Sequence, residues 1–127
     1  MAIRIELNFR LPNSPGALAR VCQLMADERI NVLALSLETS GHLRLVVDNH
    51  VHGAGVLREH HYQVVERDAI VVNVPHAPGA AAVVAGLLAD TGANVDYVYG
   101  GGSEGGSTAT MVFGVEDAQR AAAAAGL

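Results

Sequence analysis

The sequence contains no lysine, and its eight basic residues are all arginines. The 13 acidic residues outnumber them, and the formal net charge is -5. A protein that binds nucleic acid needs clustered basic side chains to neutralise phosphates, and this chain has no such cluster. The composition therefore argues against a nucleic acid as the partner.

Cysteine and long apolar runs are equally scarce. Cys22 is the single cysteine, which excludes an intrachain disulfide and a metal cluster built on cysteines. No apolar run approaches the ~18 residues that a membrane-spanning helix requires, and the chain opens directly on a strand pattern. We therefore expect no membrane span, no signal peptide and a cytoplasmic location.

A short segment of the chain occurs twice, at positions 12–17 and again at 75–80. The first copy reads PNSPGA and the second PHAPGA, and each opens a run of helical periodicity that ends in Asn-Val, at Asn31-Val32 and Asn94-Val95. Self-similarity at a fixed spacing indicates a duplicated structural unit. We predict two domains, residues 1–67 and 68–127. Each has about 60 residues and is marginally stable alone, so it must pack on the other or on a second chain.

The order of predicted elements in the first half is β-α-β-β-α-β, the ferredoxin-like motif. Strict alternation of apolar residues from 3 to 11 predicts its first strand, and two further strands are predicted at 62–66 and 70–74 on either side of a two-residue linker. The second half repeats the order but ends before a fourth strand. We predict an α+β fold of two ferredoxin-like βαββαβ repeats with antiparallel sheets, the second lacking its fourth strand. The edge this leaves bare should be covered by another element or chain.

The repeated turn has the features of an anion site. The first N–H groups of a helix have no partner inside it, and the helix dipole adds partial positive charge there. Gly16 and Gly79 would let a carboxylate or phosphate approach these groups closely. Ser14 or Asn13 is expected to cap the first helix, with Pro15 in its first turn. The alternative is that these residues only start a helix and Asn31 only ends it.

The pattern from Asn13 to Leu18, followed by a helix and Ile30-Asn31-Val32, resembles the ACT domain, a βαββαβ module that binds amino acids and regulates metabolic enzymes. It is particularly similar to the serine-binding regulatory domain of phosphoglycerate dehydrogenase, and the chain as a whole resembles free-standing tandem ACT proteins. In that family one Asn before the Pro-Gly and one after the helix contact the amino acid at a domain interface. Asn13 and Asn31 occupy these positions. In the second half Asn94 is retained, but His76 replaces the first Asn.

The resemblance implies a non-catalytic regulatory protein that senses a small amino acid between ACT domains, forms a homodimer and could associate with a metabolic enzyme. It implies no cofactor and no metal. A histidine of the family is replaced by Leu11 and by Val74, so serine itself is not implied. The implied ligand-binding residues are Asn13, Ser14, Pro15, Gly16, Ala17, Asn31 and Val32 in the first half, and His76, Ala77, Pro78, Gly79, Ala80, Asn94 and Val95 in the second.

Other functions stay open. A small enzyme on a ferredoxin-like sheet would need a histidine or an acid on the open sheet face, where the comparable residues are Arg4, Glu6, Asn8 and Arg10. A structural subunit of an enzyme complex would bind nothing small. A metal site on the histidines is disfavoured, because those near the second helix lack the i,i+4 spacing that places two ligands on one face. The glycine-rich stretch 100–106 is expected to form a mobile hairpin or a flap over the second ligand site.

Overall fold

The computed structural model describes residues 2–127. In this range the elements are β1 (Ile3–Arg10), α1 (Ala17–Asp27), β2 (Val32–Leu37), β3 (His42–Val47), α2 (His50–Glu59), β4 (Val65–Pro75), α3 (Ala80–Asp90), β5 (Val95–Gly102), β6 (Thr108–Val115) and α4 (Ala118–Ala125). The hydrogen-bonded strand order is β2-β3-β1-β4-β6-β5. The fold is α+β and ferredoxin-like, as predicted. None of the helices in residues 2–127 is long and apolar enough to cross a membrane.

The first compact unit, here called the N-terminal unit, comprises Ile5–Arg67. Strand β3 pairs antiparallel with both β1 and β2, and Leu45 lies opposite Leu7 on one side and Leu35 on the other. The helices α1 and α2 contribute Val21, Met25 and Leu57 to a core in which these side chains are completely buried. The apolar face of the alternating strand and the apolar stripe of α1 are thus removed from water together.

The second compact unit, here called the C-terminal unit, comprises Asp68–Leu127 together with residues 2–4. Strand β6 pairs antiparallel with β4 and β5, so that Val112 lies opposite Val71 and Tyr99. Ile70 and Leu88 are completely buried in its core, and the small side chains of α4 pack against this core.

The joint between the repeats differs from the prediction. The two strands predicted at 62–66 and 70–74 form one continuous strand, β4, and the expected linker Arg67-Asp68 lies inside it. Neither linker residue is a glycine or proline, and the chain holds its extended conformation until Pro75. Residues 62–64 precede the strand.

The edge that the missing fourth strand leaves in the C-terminal unit is occupied by the beginning of the chain. The amide of Val71 donates to the carbonyl oxygen of Ala2 at 2.8 Å, and β1 is the neighbour of β4 in the sheet. Ala2 and Ile3 also pack against the core cluster around Ile70. The edge is therefore covered by another element, as expected, and that element is β1.

Candidate functional site

The turn between β1 and α1 is set by Gly16. This residue directly precedes the helix and adopts the left-handed conformation, with φ +83° and ψ -4°. Glycine takes this conformation without the steric cost that a Cβ atom brings. The prediction that Ser14 or Asn13 caps α1 through its side chain is wrong, because no side-chain capping bond is formed and the helix begins at Ala17, after Pro15. Gly16 itself occupies the N-cap position, and it has no side chain that could form the capping bond.

Two amides at the start of α1 lack an acceptor among the described residues, 2–127. Ala17 donates to the carbonyl of Ser14 at 3.3 Å, and Arg20 donates to the carbonyl of Gly16 at 3.0 Å. Between them, the N–H groups of Leu18 and Ala19 find no acceptor within residues 2–127. Unpaired amides at the positive end of a helix dipole favour a negatively charged group.

A cavity of about 300 Å³ lies at this helix start. One wall is the turn after β1 and the other is the hairpin between β2 and β3. Two hydrogen bonds hold the walls together, since Leu11 N donates to the carbonyl of Gly41 at 2.8 Å and the side-chain Nη1 of Arg10 donates to that of Ser40 at 2.7 Å. The lining residues are Leu11, Pro12, Asn13, Ser14, Gly16, Ala17, Leu18, Leu37, Glu38, Thr39 and Gly41. Four of the predicted site residues therefore share one cavity, and Pro15 is not among its lining residues.

The cavity also contains a residue that sequence reasoning missed. Glu38 is the one lining residue with a charged side chain. Its Oε1 accepts a hydrogen bond from Nη1 of Arg44 at 2.5 Å, and this bond and the charge of Arg44 lower the pKa of the Glu38 carboxyl. The glutamate is therefore ionised at neutral pH. No spacing rule links residue 38 to the Pro-Gly turn, because only the hairpin fold brings them together.

A second charged group beside the turn is Arg20. Its Nη1 lies 3.6 Å from the point that a Cβ atom would occupy on Gly16. The two residues are four apart, which places them on the same side of the helix start. The guanidinium is exposed and finds no acidic partner within residues 2–127. It adds a full positive charge to the partial charge of the amides.

Asn31 and Val32 lie at the opposite end of α1, which is about 16 Å long at 1.5 Å per residue. The backbone of Asn31 is fixed by Asp48, whose Oδ1 accepts from its amide at 3.1 Å. Its side chain is exposed and has no partner within residues 2–127. As the sequence predicted, the structure does not bring Asn31 to the cavity of its own unit.

The equivalent turn of the C-terminal unit has the same backbone but a different chemistry. Gly79 precedes α3 in the left-handed conformation, with φ +87°. The adjacent cavity of about 520 Å³ is lined by Val74, Pro75, Ala77, Pro78, Gly79, Ala80, Val83 and Val84, and none of these side chains is charged. Val83 stands where the first repeat has Arg20. The second cavity is therefore apolar where the first is charged.

His76 does not line this second cavity. Its ring lies on the backbone of Gly102, where a Cβ atom would come within 2.5 Å of Nδ1. The amide of His76 also donates to the carbonyl of Ser107 at 3.0 Å. The glycine-rich hairpin between β5 and β6 therefore lies against the turn that begins α3.

Asn94 and Val95 lie at the far end of α3. Asn94 lines a separate cavity of about 400 Å³, together with Asp96, Glu116, Asp117 and Arg120. Val95 opens β5 and is exposed. The predicted residues of the second repeat are thus divided between two ends of the helix, as in the first repeat.

Two of the sheet residues considered for an enzyme, Glu6 and Asn8, form a hydrogen-bonded row with His42. Glu6 is completely buried and its Oε1 accepts from Nδ2 of Asn8 at 3.0 Å. Oδ1 of Asn8 lies 2.8 Å from Nε2 of His42. Within residues 2–127, no three side chains of His, Cys, Asp or Glu are grouped as metal ligands. The second helix is capped by Asn49, whose Oδ1 accepts from the amide of His52 at 3.1 Å.

The comparisons with known proteins agree with this architecture. The fold is that of an α+β ferredoxin-like protein, and the model of the ACT domain family matches residues 5–62, nearly the whole N-terminal unit. None of the curated proteins matches the sequence.

Several solved structures are similar over almost the full chain. A protein from Bacteroides thetaiotaomicron is 26% identical with a TM-score of 0.85, over 97% of this chain and 86% of that one. The regulatory subunit of aspartate kinase from Thermus thermophilus, in its ligand-free form, is 20% identical with a TM-score of 0.67, over 98% and 92%. The regulatory subunit from Thermus flavus is 19% identical with a TM-score of 0.63, over 99% and 95%. The likeness to the two kinase subunits shows a shared fold.

Proposed function

We propose that this protein is a non-catalytic regulatory protein that binds a small amino acid through two ACT-like domains in tandem, residues 1–67 and 68–127. The amides of Leu18 and Ala19, which find no acceptor within residues 2–127, carry this proposal, since Leu18 lines the same cavity as Asn13. The ligand carboxylate would accept from these amides, and the Asn13 side chain would take a further hydrogen bond. Hydrogen bonds to a charged group contribute about 1.5–3 kcal/mol each, so three of them sum to about 4.5–9 kcal/mol, which corresponds to binding in the micromolar to millimolar range.

The family match supports an amino acid as the ligand, since ACT domains are amino-acid-binding regulatory modules. Two proteins of similar fold are regulatory subunits of aspartate kinase. We propose by analogy that this chain regulates a metabolic enzyme, in the manner of the phosphoglycerate dehydrogenase regulatory domain. Such regulation requires that the amino acid bind two states of the assembly with different affinity.

We propose that the site is completed by a second copy of the chain. The side chain of Asn31 is exposed and has no hydrogen-bond partner in the part of the chain that the structure describes, and it lies a helix length away from the cavity of its own unit. In a homodimer, Asn31 and Val32 of one copy would close over Asn13–Ala17 of the other. The second repeat would form a related site from His76–Ala80 with Asn94 and Val95.

The proposal is tested by thermal shift and calorimetry of the full chain against the twenty amino acids. One amino acid or a small group should stabilise the protein, and Asn13→Ala should weaken binding about fivefold to tenfold. The matched control is His76→Ala, which removes the residue at the equivalent position of the second repeat. It should leave the affinity of the first site unchanged. Failure of every amino acid to bind would contradict the proposal and favour a structural subunit.

A further inference from the structure

The cavity of the N-terminal unit is lined by groups of opposite polarity. The start of α1 contributes Leu18, whose amide finds no acceptor within residues 2–127, and the guanidinium of Arg20 lies beside the same turn, near Gly16. The hairpin between β2 and β3 contributes Glu38, the one lining residue with a charged side chain. A ligand that carries only a negative charge would use the helix start alone. The geometry is complementary to a molecule that carries both a carboxylate and a cation.

Resting on the proposed function, we propose that Glu38 is the residue that binds an ammonium group of the ligand, so that the site selects amino acids over acids without an amino group. Nη1 of Arg44 donates to Oε1 of Glu38, and the Ser40 side chain also bonds to this carboxylate. A carboxylate offers about four acceptor positions, so capacity for an ammonium group remains.

Arg44 holds this carboxylate in place. The arginine is almost completely buried, with 8% of its surface exposed, whereas the Glu38 side chain is 47% exposed. The pair therefore has a fixed inner member and an outer member that reaches solvent and the cavity. A buried guanidinium at 2.5 Å keeps Glu38 ionised and restricts its rotamers, which reduces the entropy lost when a ligand binds.

The second repeat lacks this set of groups. Offset by 63 residues, Glu38 corresponds to Gly101 and Arg20 to Val83. The lining of the second cavity contains no charged side chain. Because the backbone of the Pro-Gly turn is shared, the charged groups distinguish the two sites. We therefore expect selection for an ammonium group at the first site only.

The experiment compares paired ligands on the full chain by calorimetry. The amino acid that binds the wild-type protein best is compared with the 2-hydroxy acid of the same side chain, and L-lysine is compared with L-norleucine. Both pairs are then measured on Glu38→Gln, which keeps an oxygen for Arg44 but removes the charge. We expect the variant to lose about fivefold in affinity for the amino acid and little for the hydroxy acid.

The paired ligands also identify which ammonium group is bound. If the wild type prefers the amino acid over its hydroxy acid and Glu38→Gln does not, Glu38 binds the α-ammonium group. If the wild type prefers L-lysine over L-norleucine and Glu38→Gln does not, Glu38 binds a side-chain ammonium group. The control is Asp27→Asn, an exposed carboxylate at the other end of α1 that bonds to Gln23 at 2.7 Å. It should change neither preference.

Two results would overturn the inference, and they differ in what they say of the proposed function. If Glu38→Gln binds the amino acid as tightly as the wild type, or loses both members of a pair equally, the ammonium role fails while amino-acid binding stands. If no amino acid binds the wild-type protein, the proposed function and this inference fail together. Circular dichroism of Glu38→Gln establishes that the variant is folded.

Discussion

Nη1 of Arg44 lies 2.5 Å from Oε1 of Glu38, and this pair joins a buried strand residue to an exposed hairpin residue. The hydrogen bond from Arg44 and its charge lower the pKa of the Glu38 carboxyl below its ordinary value of 4.5, and Ser40 and His42 act in the same direction. In the unfolded chain the arginine is not held beside the glutamate. Folding therefore favours the ionised form.

This difference makes stability depend on pH in a defined direction. A carboxyl whose pKa is lower in the folded state stabilises the protein fully above its unfolded pKa, and the contribution is lost as pH falls through the folded pKa. The Glu38→Gln variant should be less stable than the wild type at pH 7, and the gap should close as pH falls below about 4.5. Urea unfolding at a series of pH values measures this gap. A gap that is constant with pH would contradict an electrostatic origin.

Gly16→Ala should destabilise the protein and weaken the ligand site. The left-handed conformation at φ +83° costs an L-residue about 1–2 kcal/mol, whereas a Cβ atom there meets nothing closer than Arg20 at 3.6 Å. The expected loss is thus one of backbone conformation and not of crowding. Thermal unfolding measures it.

The matched control for this change is Gly86→Ala. Gly86 lies within α3, is exposed, and a Cβ atom there would meet nothing within 4 Å. Alanine is favoured over glycine inside a helix by about 0.5–1 kcal/mol, so this variant should be more stable than the wild type. If both variants shift stability in the same direction, the conformational explanation for Gly16 is wrong.

Ile3→Ala should lower the stability of the C-terminal unit. Ile3 belongs to this unit although the unit's main segment begins only at Asp68. Ile3 packs against the core cluster around Ile70, and the neighbouring Ala2 accepts from the amide of Val71. Removing a partly buried aliphatic side chain should cost about 1–2 kcal/mol. Hydrogen exchange of the Val71 amide should become faster. Arg4→Ala, at an exposed position, serves as the control and should leave exchange unchanged.

Much of the fold follows from periodicity in the sequence. The alternation around Leu7 and Phe9, the helical stripe of α1 and the repeated Pro-Gly turn define the elements and their order. The joint at Arg67-Asp68 could not be placed in the same way. Charged residues at three adjacent positions, 66–68, interrupt the apolar pattern, yet β4 runs through them without a break.

The candidate site was predictable only where it is contiguous in sequence. Residues around Gly16 were identified from the turn and the helix start, which are local features. Glu38 and Arg20 were not identified. A glutamate near a predicted hairpin has no periodicity or spacing that relates it to a turn some 20 residues earlier (38 - 16 = 22). The pairing of β1 with β3 and the bonds from Leu11 to Gly41 and from Arg10 to Ser40 bring the hairpin to the turn.

The charge of Arg20 yields a prediction that separates binding from folding. Its guanidinium lies beside the turn and has no acidic partner within residues 2–127, so its removal breaks no ion pair there. Arg20→Gln should therefore leave the unfolding temperature nearly unchanged. It should weaken binding of an amino acid about twofold to fivefold, because an exposed charge near a carboxylate contributes about 0.5–1 kcal/mol.

Salt distinguishes this contribution from that of the neutral amides. An exposed charge is screened as ionic strength rises, whereas hydrogen bonds from Leu18 and Ala19 depend on it much less. The affinity difference between the wild type and Arg20→Gln should thus shrink between low salt and about 1 M salt. Arg29→Gln, an exposed arginine at the far end of α1, provides the control and should bind like the wild type at every salt concentration. An effect of Arg20→Gln that persists undiminished at high salt would assign the arginine a packing role at the turn and not an electrostatic one.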